Sequence, residues 1–179
     1  MNRLADPSRH VDAWGIPVFG SGDISDDVLA RVRERLGVLI RLRSYRVVPE
    51  LVRRGIHVIV VPDPAWCPGQ ALPLLVSTED RFVRQFGHVL LRVALRRLDP
   101  ELDGELAAAH RAARRLGLWL NTGGGGAVDE YFAQGLETYF GAGGTGPIGG
   151  DGVHNHINTR AALRAYDRPL FRLLDRLYG

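Results

Sequence analysis

GLWLNTGGGGAVDEYFAQGLETYF, residues Gly117–Phe140, decides how the rest of the chain is read. Gly123 to Gly126 are four consecutive glycines. A run without side chains pays the largest backbone entropy on ordering and buries nothing, so Asn121–Ala127 is predicted to be a loop. Beyond it, apolar residues recur at helical spacing from Val128 to Phe140, and Gly141 supplies the stop. That helix carries Glu130, Tyr131, Gln134 and Glu137, which set polar groups at i, i+4 and i+7.

Downstream, Gly141–Gly152 reads as a second glycine-rich loop, followed by His154-Asn155-His156. Thr159 then caps a pair of helical segments running to Tyr178. Upstream, Asp99-Pro100 opens a helix with Leu102, Leu106, Ala109, Ala113 and Leu116 on one face, closed by Gly117. Before it, Thr78 with Glu79 and Asp80 marks the start of a helix reaching Leu98, and Pro62–Pro73 is a proline-rich loop. The continuous apolar run Ile56–Val61 is a buried strand. A short helix is expected over Val47–Arg54, and a longer amphipathic one from Ser25 to about Arg43. Residues 1–24 hold one short strand, Ile16–Phe19. The expectation is an α+β fold, mainly helical with a small sheet, in one domain over residues 1–179 without a linker or repeat.

Composition bounds the function. The chain has 179 residues, 45% of them hydrophobic and 24% charged, which suits a folded globular domain and excludes a disordered chain or a coiled coil. No apolar run approaches the ~18–20 residues of a membrane helix, and MNRLADPSRHVDAWG lacks the apolar core of a secretion signal. The single cysteine, Cys67, excludes an internal disulfide and a cysteine-based zinc cluster. A cytoplasmic protein is expected, with neither a membrane nor a nucleic acid as partner. All 23 basic side chains are Arg, the net charge is +3 and the pI about 9.5. Along the sequence these arginines are interleaved with acids instead of forming the concentrated patch of a nucleic-acid binder.

By spacing alone the chemistry-bearing residues are ambiguous. His88 lies mid-helix in Arg84-Gln85-Phe86-Gly87-His88, where a packed histidine is the ordinary explanation. Glu130 lies near a helix start, where the helix dipole favours an acid. His154 and His156, two residues apart, read as loop structure or as a pair able to ligate a metal.

The quoted segment nevertheless resembles the zinc-Glu segment of bacterial and fungal metallopeptidases related to the anthrax lethal factor catalytic domain, in which an EYWAE core carries a zinc-binding Glu. DGVHNHINTRAALRAYDRPLFRLLDRLY (Asp151–Tyr178) resembles the C-terminal end of the same family. Val11–Pro62 resembles it more loosely, and RQFGHVLL (Arg84–Leu91) falls where the family has its HExxH helix. The resemblance implies a zincin-like domain in which His88 is the second metal histidine and Glu130 the downstream zinc ligand.

It also implies that the catalytic set is lost. The first metal histidine is Arg84, the general base is Gln85, the oxyanion Tyr is Gly123, and the second Glu of the EYWAE core is Gln134. Arg offers no lone pair and repels a dication. Gln cannot take a proton from water, and glycine has no side chain to donate from. The expectation is a metal-free, degenerate metallopeptidase-like protein without peptidase activity. Its cleft binds or transforms a polar or anionic small molecule or a peptide, using Arg84, His88 and Glu130 with Gln85, Tyr131, Gln134, His154 and His156. Three alternatives stay open: cyclase- or isomerase-type acid–base chemistry without metal, an Arg84–Glu130 ion pair that merely replaces the metal, and a residual zinc-dependent hydrolase in which another histidine fills the vacant place. No cofactor is required, and oligomeric state is not readable.

Overall fold

A computed structural model describes residues 9–63, 65 and 72–179. The structure is mixed α/β, about 52% helical, with one four-stranded sheet. It divides into two compact units, one of residues 1–42 and 46–94, the other of residues 43–45 and 95–179. No stretch of linker-like composition marks the division, which falls within a continuous helical segment.

The first unit holds the sheet, in the order β1 (His10–Ala13), β2 (Ile16–Gly20), β3 (His57–Val60) and β4 (Leu74–Ser77). β1 and β2 form an antiparallel hairpin; β2, β3 and β4 run parallel. The hairpin turn is Trp14-Gly15, both at positive φ (58° and 84°). Two left-handed residues match the twist of the flanking strands, and Asp12 Oδ1 holds the turn by accepting from the Gly15 N–H at 3.1 Å. Val18, Val58 and Leu75 align across three strands and are fully buried. Phe19, Ile59 and Val76 form the matching row on the opposite face.

α1 (Asp26–Leu39) begins at Ser25, whose hydroxyl accepts from the Val28 N–H, and it buries Leu29, Val32 and Leu36. α2 (Val48–Arg53) follows, with Pro49 in its first turn. α3 (Phe82–Val89) buries Phe82, Val83, Phe86, Gly87, His88 and Val89. It starts later than the sequence suggests. Thr78 does not cap it: its hydroxyl bonds the Asp80 carboxylate. Glu79 instead takes the Arg31 guanidinium of α1 bidentately, at 2.7 and 3.0 Å, and this holds its carboxyl below the ordinary range. Leu74–Ser77, read from sequence as the stretch between a loop and a helix, is a strand because it pairs with β3. The proline-rich loop and Cys67 lie largely outside the described residues.

After Val89 the chain takes a π-helical turn over Leu90–Leu95, then α4 (Arg96–Leu98). The second unit contains α5 (Leu102–Arg115), α6 (Val128–Tyr139), α7 (Arg160–Tyr166) and α8 (Arg168–Tyr178). α6 is buried without interruption from Tyr131 to Tyr139, so it forms the centre of this unit. Gly135 is required there: a Cβ at that position would come within 2.5 Å of Leu170 Cδ2 on α8. Thr159 caps α7 by accepting from the Ala162 N–H, as expected, and Asp167 caps α8 by accepting from the Leu170 N–H. Gly117, at φ 69°, ends α5 in the left-handed conformation. Among the described residues no helix is long and apolar enough to cross a membrane.

Candidate functional site

In the first unit, α3 carries three of the expected site residues. Arg84 and His88 lie one helical turn apart, which places them on the same side of the helix. His88 is buried, whereas Arg84 and Gln85 are half-buried. The polar side chains thus rise from a helix whose other residues are almost all core. One residue beyond Val89 the helix widens into π geometry, a feature often found at functional sites.

In the second unit, Glu130 sits in the first turn of α6, half-buried beside Asp129. Asp129 receives the Arg96 guanidinium at 2.7 Å, and Arg96 also binds Asp103. Tyr131 is fully buried, and its hydroxyl donates to Asp167 Oδ2 at 2.7 Å. Burial, then the adjacent Asp167 carboxylate, drive its pKa far above that of a free phenol, so it remains a donor. Trp119 Nε1 donates to the same oxygen at 2.8 Å, and its backbone N–H donates to the Tyr166 hydroxyl. Asp167 therefore ties together the turn after α5, the first turn of α6 and the start of α8. Sequence reasoning overlooked it, although an Asp directly before Arg-Pro is a helix-start signal.

Gln134 is buried and uses both ends of its amide. Its Oε1 accepts from the Gly124 N–H at 2.5 Å, and its Nε2 donates to the Val153 carbonyl at 3.0 Å. A Cβ on Gly124 would lie 2.8 Å from that Oε1, so glycine is needed for the approach. One side chain thus anchors both glycine-rich loops to α6. The first loop holds a short 3-10 turn, Gly123–Gly125, where the resembled family has its oxyanion Tyr.

His154 is half-buried, with Nε2 3.6 Å from the buried Glu137 carboxylate. Its position is fixed by Asp151, which accepts from the Val153 and His154 backbone N–H groups at 2.9 and 2.7 Å; these bonds hold the Asp151 carboxyl below its ordinary range. His156 is exposed and stands edge-on to Tyr166 at 6.0 Å. The structure therefore brings Tyr131 and Gln134 into the hydrogen-bonded interior of the second unit, pairs His154 with Glu137 and leaves His156 at the surface.

The zinc site implied by the resemblance is not supported by the donor set. Arg84 gives no lone pair, and among the described residues no group of three or more His, Cys, Asp or Glu is arranged to hold a metal ion. The first unit has a cavity of about 410 Å³ at the end of the sheet, lined by Pro17, Phe19, Val52, Ile56 and His57. The second has one of about 600 Å³ between Arg160, Arg164, Phe171 and Asp175. Neither is lined by the residues expected from the sequence to bind a ligand.

Comparison with protein-family models, with curated proteins and with solved structures gave no match.

Proposed function

We propose that the chain is a metallopeptidase-like domain that works without metal and without hydrolysis, and that Arg84, Gln85 and His88 receive an anionic group of a small molecule or peptide. The carrying observation is α3 itself. A half-buried guanidinium and amide and a buried imidazole lie within one turn of a helix whose other residues are core, immediately before a π-helical turn. A guanidinium fork matches a carboxylate bidentately, and a neutral amide beside it adds a donor without competing charge. Of the three side chains only the His88 imidazole can both accept and donate a proton, so any proton transfer in such a complex falls to it. Glu130 is assigned to the same centre by the resemblance alone.

The test is a thermal-shift and calorimetric screen of small carboxylates against the wild type and Arg84→Met. A carboxylate that stabilises the wild type and not the variant, whose own melting temperature stays near that of the wild type, supports the reading. A large loss of stability in Arg84→Met without ligand assigns Arg84 to a structural ion pair instead. Zinc-dependent cleavage of a fluorogenic peptide by the wild type overturns the reading entirely.

A further inference from the structure

The paired helices α5 and α8 of the second unit carry a cationic face, free of acids over residues 106–118 and 168–174, that the linear sequence conceals. α5 and α8 pack antiparallel: Glu105, near the start of α5, binds Arg176 near the end of α8, and Trp119, just past the end of α5, binds Asp167 at the start of α8. Residues 106–118 and 168–174 contain no Asp or Glu. The paired helices therefore set Arg111, Arg114, Arg115, Arg168 and Arg172 along one stretch of surface, all exposed. None of the five has an ion-pair partner among the described residues. Arg31, Arg53, Arg96, Arg160 and Arg176, by contrast, each sit on a carboxylate.

Aliphatic side chains project from loops at the Asp167 end of this face. Leu116 is 75% exposed and Leu120 63%, in the turn directly after Arg114 and Arg115; Ile148 is 86% exposed in the second glycine-rich loop and Val153, just past it, 50%, with the exposed Asp151 between them. The two loops are tied to each other, since Asn121 Nδ2 donates to the Gly150 carbonyl and the Gly152 N–H to the Asn121 carbonyl, both at 2.8 Å. Trp119 and Asn121 hold left-handed backbone (φ 60° and 51°), a conformation costly for non-glycine residues and here maintained by that network. Four large aliphatics kept in water on tethered loops call for an apolar partner. A phosphate backbone gains nothing from saturated side chains, and the aromatic residues at this end, Trp119 and Tyr166, are packed edge-on against each other at 5.2 Å. An anionic bilayer satisfies both features at once: phosphates for the guanidiniums, acyl chains for the leucines and isoleucine.

We propose that this face is a docking surface for an anionic lipid bilayer, with Leu116, Leu120 and Ile148 inserted shallowly and Arg111, Arg114, Arg115, Arg168 and Arg172 on the headgroups. Nothing in the linear order of residues points to a membrane, because the arginines look evenly spread until two helices distant in sequence are paired.

The full-length protein is tested by co-sedimentation with vesicles of phosphatidylcholine alone and of phosphatidylcholine mixed with phosphatidylglycerol. Binding is expected only to the mixed vesicles and is expected to weaken with added salt. Arg111→Ser/Arg172→Ser should cut the partition coefficient about fivefold per arginine. Leu116→Asn/Ile148→Asn should reduce vesicle binding while leaving retention on heparin unchanged, with circular dichroism verifying the fold of each variant. Absence of binding to the mixed vesicles, equal binding to both kinds, or indifference to the aliphatic changes overturns the proposal. Tighter binding to single-stranded RNA than to the mixed vesicles, competing with them, also overturns it and assigns the face to nucleic acid.

Discussion

Asp167→Ala is expected to be the most damaging single change in the second unit. The Asp167 carboxylate is about 1% exposed and accepts three bonds: from Trp119 Nε1 at 2.8 Å, from the Tyr131 hydroxyl at 2.7 Å and from the Leu170 N–H at 3.1 Å. Hydrogen bonds to a charged group contribute roughly 1.5–3 kcal/mol each, and loss of a helix cap costs roughly 0.5–2 kcal/mol. Alanine removes all three while leaving the Trp119 and Tyr131 donors buried. Allowing for non-additivity, the loss is about 5 kcal/mol, or roughly 10–20 °C in melting temperature for a chain of this size. Urea denaturation at neutral pH measures it, with Tyr131→Phe as the companion variant, expected to cost about 2 kcal/mol. In the Asp167→Ala background the tyrosine hydroxyl has already lost its acceptor. Removing it there should therefore cost nothing, giving a coupling energy of about 2 kcal/mol. Strict additivity of the two substitutions, or a loss below about 1 kcal/mol for Asp167→Ala, would refute the assignment of Asp167 as the hub.

Stability should fall as pH drops below about 6.5 through His110. Burial, then Arg114, lower its pKa in the folded state, so the unfolded chain binds more protons there and stability decreases as pH falls through the folded value. Among the described residues its Nε2 has no hydrogen-bond partner, and a pH series of denaturation curves for the wild type and His110→Phe should show the slope reduced in the variant. Gly135→Ala should destabilise by about 1–3 kcal/mol through overpacking against Leu170, read as a shifted urea midpoint. Gln134→Ala should release both glycine-rich loops from α6, seen as faster amide exchange at Gly124 in the first and across the second, with α8 unaffected. Gln85→Glu and Arg84→His, made singly, should leave a fluorogenic peptide library intact, since one returns the base without the metal ligand and the other the ligand without the base.

The local grammar of the chain was legible. Helical periodicity located every helix of three turns or more, and Ser25 and Thr159 were identified as caps because a hydroxyl before an apolar-periodic run has one evident partner, the N–H groups of the first turn. Two of the four strands were missed, His10–Ala13 and Leu74–Ser77. Four residues carry too little alternation to announce a strand, and each becomes one only by pairing with a neighbour. Thr78 misled for a related reason, since the sequence cannot say which of its neighbours a hydroxyl will choose.

For the site, sequence supplied identities and tertiary structure supplied roles. That Arg84 and Gln85 stand where a metal ligand and a base are expected is chemistry readable from the residues alone. That Tyr131 spends its hydroxyl on Asp167, and Gln134 its amide on two loops, required the fold, because hydrogen-bond partners 36 and 10 or 19 residues away are set by packing. The cationic face has the same origin. The number of arginines was fixed by the chain, but whether each meets an acid depends on which helices lie side by side. Local propensity and periodicity are encoded within a turn or two of each residue, and so the sequence determined the elements. Partnership across tens of residues is a property of the packed core, and only the tertiary structure decided it.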